Sequence, residues 1–158
     1  MNSNPDLLNL DYLAAKHSQS IINTLKENKG DASETENLIT KSLGVLSEDG
    51  IFAAFVYLLS RKEKEQKISQ AGINELLGMV KDVYGLEPGS RESQKVLDFI
   101  AENITADLDK MMLCKTLFER ILTFARYGAK AWDAELKASE QKNQTHIPKP
   151  GIQEHPTL

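Results

Sequence analysis

The side chains best suited to nucleophilic, acid-base or metal chemistry near neutral pH are three histidines, His17, His146 and His155, and one cysteine, Cys114. No two of the histidines stand at ligand spacing on a helix, and one cysteine makes neither a disulfide framework nor a thiolate metal site. Cys114 falls inside a helical apolar pattern and reads as a small core residue. Asp107 and Asp109 lie two apart, so on a helix they point in different directions; they suit a favourable contact with a helix N-terminus better than acid-base work. The turn Pro88-Gly89-Ser90 has too few glycines to wrap a phosphate and reads as a helix cap. Walker, GxGxxG, GxSxG and HExxH patterns are all missing from the sequence. The expectation is a non-enzyme that uses no cofactor, metal or small-molecule substrate.

His17 is the one candidate for group transfer, because an exposed histidine on a bundle helix can accept a phosphoryl group. Its context, Lys16-His-Ser-Gln-Ser20, lacks the lysine and glycine that usually follow such a residue. A solvated surface histidine is the expected reading, and a helical signalling adaptor or phosphotransfer domain is the alternative.

These residues must be held by helices. Apolar positions recur at helical spacing in Leu13, Ile21, Ile22 and Leu25, and again in Leu38, Ile39, Leu43 and Leu46. Asn9 or Asp11 can cap the first segment, and Ser33 with Glu36 has the form of a capping box for the second. The run Ile51-Phe-Ala-Ala-Phe-Val-Tyr-Leu-Leu59 is apolar on every side, which predicts a buried central helix whose end runs out into solvent through Arg61 to Gln66. Ile73, Leu76, Leu77, Val80 and Tyr84 mark a fourth helix. Ser90 can cap a fifth carrying Val96, Leu97 and Ile100. Thr105, Asp107 and Asp109 open the last, which is expected to end near Leu136. Along it Met111, Cys114, Phe118, Ile121, Ala125, Gly128 and Trp132 alternate in steps of three and four, the spacing of a packing seam. No period-two alternation signals a strand, so the fold class is all-α: one bundle of five or six helices.

A flexible segment over 1–9, the bundle over 10–138 and a disordered tail over 139–158 are the expected divisions, since prolines and polar residues replace the apolar period after Ala138. Apolar residues at 41% and charged residues at 27% suit a soluble globular chain. The longest apolar run falls well short of the ~20 residues that span a bilayer, and Met1 to Leu10 lacks the features of an export signal. No membrane partner is expected, and the cytoplasm is the expected compartment.

A net charge of −4 argues against an autonomous nucleic-acid binder. Two local basic clusters survive it. Arg61, Lys62, Lys64 and Lys67 follow the apolar run, and Lys115, Arg126, Lys130 and Lys137 fall within about 60° of one another on a helical wheel, beside the seam. Glu119 and Asp133 share that stripe, so a solvated face with internal ion pairs and a phosphate track are both open readings.

Three stretches resemble the small helical subunit of the Cmr-type (type III-B) CRISPR RNA-guided effector complex. In Leu43 to Leu59 an apolar helix leads through Glu48-Asp-Gly-Ile51 into a second apolar helix. Phe124-Ala-Arg-Tyr-Gly-Ala-Lys-Ala131 is similar to the family's run near the end of its last helix, with Tyr127 in place of a second basic residue and Gly128 in place of a phenylalanine. Asp11-Tyr-Leu-Ala-Ala-Lys16 looks like its opening helix. The resemblance, over roughly residues 10 to 138, implies a non-catalytic subunit repeated along the complex. It implies as partners the other subunits, further copies of itself, and the guide RNA and target RNA. The two basic clusters, as the local cations that survive the negative net charge, are the candidate RNA contacts.

If the middle of the apolar run is fully buried, Phe55→Ala costs on the order of 3–5 kcal/mol of unfolding free energy. Urea denaturation checks this, and a cost below about 1 kcal/mol would place Phe55 on the surface.

Overall fold

The computed structural model describes residues 8–144, and these form one all-helical domain without strands. Six α-helices follow in chain order: α1 Leu10–Glu27, α2 Ala32–Asp49, α3 Ile51–Leu59, α4 Lys64–Tyr84, α5 Ser93–Ile100 and α6 Leu108–Gln144. A π-helical turn, Ala101–Thr105, joins the last two. Most of the expected tail, with His146 and His155, and residues 1–7 lie outside the described residues.

Caps set the helix starts. Asn9 Oδ1 accepts the Tyr12 N–H at the head of α1, as expected. α2 begins earlier than the Ser33-Glu36 pattern implies, because Asp31 supplies the cap and accepts the Glu34 N–H. Ser90 does not cap α5, whose flanking residue is Glu92; its hydroxyl accepts the Glu92 N–H instead. At α6 the cap is Asp107, which accepts the Lys110 N–H. Thr105 belongs to the preceding π-helical turn and bonds the Ala101 carbonyl. α6 also continues past its expected end and past the boundary at 138, with residues 139–144 helical.

α3 departs from the expected course at its far end. It stops at Leu59, and Arg61 to Gln66 do not extend it. The Ser60 hydroxyl and the Arg61 Nε both donate to the Tyr57 carbonyl, closing the last turn, and the Arg61 guanidinium lies 4.2 Å over the Tyr57 ring. The chain reverses, and α4 starts at Lys64. The Ser69 hydroxyl then bonds the Leu58 carbonyl and ties the two helices together. Burial of α3 is one-sided: Ile51, Ala54, Phe55 and Leu58 face inward, whereas Phe52 and Val56 are exposed. Phe55 is fully buried, with its ring centroid 6.0 Å from that of Phe118 on α6.

The long helix α6 is the spine. Ion pairs Asp11–Arg120 and Lys26–Glu135 show α1 running parallel to it. Contacts of Lys115 with Ser47 and of Lys130 with Glu36 show α2 running antiparallel. The expected seam holds: Cys114, Phe118, Ile121, Ala125 and Trp132 are buried. Burial pushes the Cys114 thiol up to about 11, which keeps it protonated and inert. From Ala134 onward every described position of α6 is exposed.

Two glycines bring α1 close to its neighbours. A Cβ on Gly78 of α4 would stand 3.0 Å from His17 Cε1, and a Cβ on Gly128 of α6 would stand 3.0 Å from Ile22 Cγ1. Either is tighter than ordinary van der Waals contact, so a side chain at either position would require the His17 ring or the Ile22 side chain to give by a few tenths of an ångström.

Glu63, at the reversal between α3 and α4, has φ 56° and ψ −124° and makes no capping bond with its side chain. This region favours glycine, and a side chain there stores on the order of 1–3 kcal/mol. Glu63→Gly is therefore expected to stabilise the fold by about 1 kcal/mol after the larger chain entropy of glycine is counted. Thermal unfolding checks it, and a lowered melting temperature would show that the strain is not there.

Candidate nucleic-acid interface

The eight basic residues proposed from sequence occupy three distinct settings. Around the start of α4, Arg61 caps α3 and pairs with Glu65 at 3.5 Å, and Lys64 lies 3.8 Å from Glu34. Lys62 and Lys67 are exposed and make no ion pair within the described residues. Lys115, Arg126 and Lys130 follow the α2–α6 seam. Lys115 Nζ donates to the Ser47 carbonyl at the C-terminal end of α2, where a positive charge suits the helix dipole. Lys130 lies 3.8 Å from Glu36. Arg126 is half-buried, and its Nε is buried with no hydrogen-bond partner among the described residues. Lys137 pairs with Asp133 at 2.9 Å within α6, which holds its ammonium above the ordinary range.

Both open readings of the α6 stripe therefore have a physical counterpart. The stripe is on the surface, as the wheel places it, and its lysines hold carboxylates or a carbonyl. Such exposed pairs are worth roughly 0–1 kcal/mol each, so a phosphate can compete for the same ammonium groups. Lys62 and Lys67 need surrender nothing.

Two of the three stretches that carry the family resemblance meet in space. Because α1 and α6 are parallel and Gly128 lets them approach, Ala15 and Ile22 of α1 face Phe124, Tyr127, Ala131 and Trp132 of α6 across a groove of about 490 Å³. Trp132 is buried at its floor, while Phe124 and Tyr127 are 39% and 61% exposed at its rim. The Lys26–Glu135 pair, at 3.6 Å, stands at one end. Exposed aromatic faces beside cationic side chains are the elements with which helical surfaces hold unpaired bases and phosphates.

His17 is not a surface residue, contrary to expectation. It is 6% exposed, wedged between α1 and α4 where Gly78 leaves room for the ring. Nδ1 lies 2.6 Å from Glu75 Oε2 and Nε2 2.7 Å from Asp82 Oδ2. Ser20 Oγ donates to the other Glu75 oxygen at 2.6 Å. The bond to Glu75 raises the His17 pKa above 6.5 most strongly; burial opposes it, and the bond to Asp82 and both negative charges add to it. Burial pushes the Glu75 carboxyl up, but the bonds from His17 and Ser20 and the imidazolium charge together draw it below 4.5. A protonated ring donates to both carboxylates at once. Phosphoryl transfer needs a ring nitrogen open to an incoming phosphorus, and here both are held. Sequence reading passed over Glu75 and Asp82, although the pair seven apart on one helix face, with Gly78 between them, is a signal for a buried cation partner.

Among the described residues no group of three or more His, Cys, Asp or Glu side chains is arranged to hold a metal, and no helix is long and apolar enough to cross a membrane. Comparison with models of protein families, with curated proteins and with solved structures finds no match.

The His17 clamp makes stability depend on pH from both sides. Since the folded His17 pKa is raised, its contribution is complete below 6.5 and is lost as pH climbs through the folded value. Since that of Glu75 is lowered, its contribution is complete above 4.5 and is lost as pH falls through the folded value. His17→Gln is expected to cost roughly 1–3 kcal/mol at about pH 6, with the gap from wild type narrowing toward pH 9. Urea midpoints across that range check it, and a gap that stays constant means His17 is neutral in the fold throughout.

Proposed function

We propose that this chain is a non-catalytic small subunit of a type III-B CRISPR ribonucleoprotein effector complex, acting in the cytoplasm to help assemble the complex and to hold guide RNA and target RNA in antiviral defence. The observation that supports the reading is a groove between α1 and α6 to which the stretch Phe124 to Ala131 contributes Phe124, Tyr127, Gly128 and Ala131, and the stretch Asp11 to Lys16 contributes Ala15, with Phe124 and Tyr127 exposed at its rim.

The electrostatics suit a subunit that works in numbers. An acidic domain with a few local cations gains little from one phosphate track, because each contact releases few counterions. Several copies along one strand add those contacts, and avidity multiplies a weak affinity. Lys62 and Lys67 are the contacts free of competition. Lys64, Lys115, Lys130 and Lys137 exchange a carboxylate or carbonyl for phosphate, and Arg61 and Arg126 bind only with whatever part of the guanidinium their packing leaves outside. The overhanging end of α6, exposed from Ala134 onward, and the exposed flank of α3 at Phe52 and Val56 are available for neighbouring subunits or further copies. A phosphotransfer role gains no support, since His17 has both nitrogens occupied.

A tagged chain purified from its native host is expected to bring down RNA and a set of other subunits. With Lys62, Lys64 and Lys67 all changed to Gln, the complex should assemble normally but retain target RNA several-fold less well at low salt. That difference should shrink as salt rises and screening removes the same contacts. Purification without RNA or partner subunits would overturn the reading, and unchanged retention at low salt would remove this cluster from the RNA interface.

A further inference from the structure

On the face of the bundle away from the α1–α6 groove, α3, α4 and the segment before α5 enclose a pocket of about 300 Å³. Its floor is apolar, from Leu58, Leu59 and Ile73. Its walls carry two guanidinium groups, Arg61 and Arg91, and a row of three amides on one face of α4, Gln66, Gln70 and Asn74. Spacings of four residues put that row one turn above another. No acidic side chain lines the pocket, although the whole protein carries a net charge of −4. Arg91 and the three amides make no hydrogen bond or ion pair within the described residues. Arg61 is anchored by its Nε on the Tyr57 carbonyl, by Nη2 on Ser60 Oγ, and by its stacking on Tyr57. Its one carboxylate partner, Glu65, stands outside the lining at 3.5 Å.

We propose that this pocket is a binding site for a phosphomonoester dianion. A guanidinium anchored by its bonds to Tyr57 and Ser60, a second unpartnered one and a row of amide N–H donors line one pocket and supply donors to several oxygens of one tetrahedral group. Arg91 brings a positive charge that no carboxylate offsets, and a terminal phosphate presents three unesterified oxygens to these donors, whereas an internal phosphodiester presents two. The apolar floor excludes water beneath the anion and strengthens those bonds. Either a mononucleotide or the 5′-phosphorylated end of an RNA offers this group. The inference does not rest on the RNA-guided reading: the two share Arg61, but Arg91 and the α4 amides belong to neither the groove nor the basic clusters of that reading.

The test is a titration of the full-length protein at about pH 8, where a phosphomonoester is doubly charged, followed by nuclear magnetic resonance of side-chain amide and arginine Nε–H signals. Four probes are used at constant ionic strength: inorganic phosphate, a nucleoside 5′-monophosphate, and one short RNA with a 5′-phosphate or a 5′-hydroxyl. Saturable shifts of Gln66, Gln70, Asn74 and Arg91 with phosphate or the monophosphate, about tenfold weaker in Arg91→Gln and unchanged in Lys41→Gln, support the site. Arg91 is exposed, so its replacement leaves the fold intact. Stronger binding of the 5′-phosphorylated RNA than of its hydroxyl twin identifies an RNA end as the source; equal RNA arms with retained monophosphate binding identify a small ligand. Absence of saturable shifts with all phosphate probes, the same shifts produced by chloride, or binding unaffected in Arg91→Gln overturns the proposal. Loss of RNA association in the native complex, with phosphate binding intact, would instead count against the proposed function alone.

Discussion

Helix α1 is held at contact distance by two neighbours at once, and the geometry of the bundle follows from how that is done. On one side Gly128 lacks the Cβ that would press on the Ile22 side chain of α1. On the other, Gly78 clears a space that the His17 ring fills, and Glu75 and Asp82 on the same helix grip both of its nitrogens. Apolar packing alone would tolerate some sliding of α1 along either neighbour. A ring held at both ends fixes the helix along its axis, because directed charge-assisted hydrogen bonds fail when displaced by an ångström.

That fixed register also sets the groove. Asp11 with Arg120 and Lys26 with Glu135 pin the ends of α1 to α6, and between them the small residues Ala15 and Gly128 leave room beneath Phe124 and Tyr127. Were α1 displaced by one turn, Ile22 would no longer lie over Gly128 and a larger side chain of α6 would take its place. A structural clamp on one face of α1 and the groove on the opposite face are in this way parts of one arrangement. The clamp consumes the only histidine among the described residues.

The basic residues illustrate how context decides what a charge does. Arg61 closes α3, Lys115 completes the end of α2 and Lys130 bridges α2 to α6. Each of these holds the fold and still presents its remaining donors to solvent. Arg126 is different: its Nε has lost water without gaining a partner, so a carboxylate placed there would be half-buried beside the α2–α6 seam at a cost in stability. Lys62 and Lys67 flank the α3–α4 reversal near the strained Glu63 and make no ion pair within the described residues.

The helices, their approximate ends, the cap at Asn9, the seam of α6 and the buried position of Phe55 were legible in the sequence, because each depends on residues within a few places of one another and a 3.6-residue period reports which face is covered. The extent of α6 was not, since its solvated last turns carry no apolar period. Nor was the end of α3, where Arg61 and Ser60 turn a charged run into a cap. His17 shows the limit most plainly. Its partners lie 58 and 65 residues away on α4, and nothing in Lys16-His-Ser-Gln-Ser20 states that a glycine and two carboxylates will stand opposite. The same holds for the pairing of Lys130 with Glu36 and for the pocket that joins Arg61 to Arg91. Periodicity fixes which side of a helix turns inward. Which side chains then meet is decided by the packing of one helix on another, where the close approach allowed by a missing Cβ and the need of a buried charge for a partner select a single register.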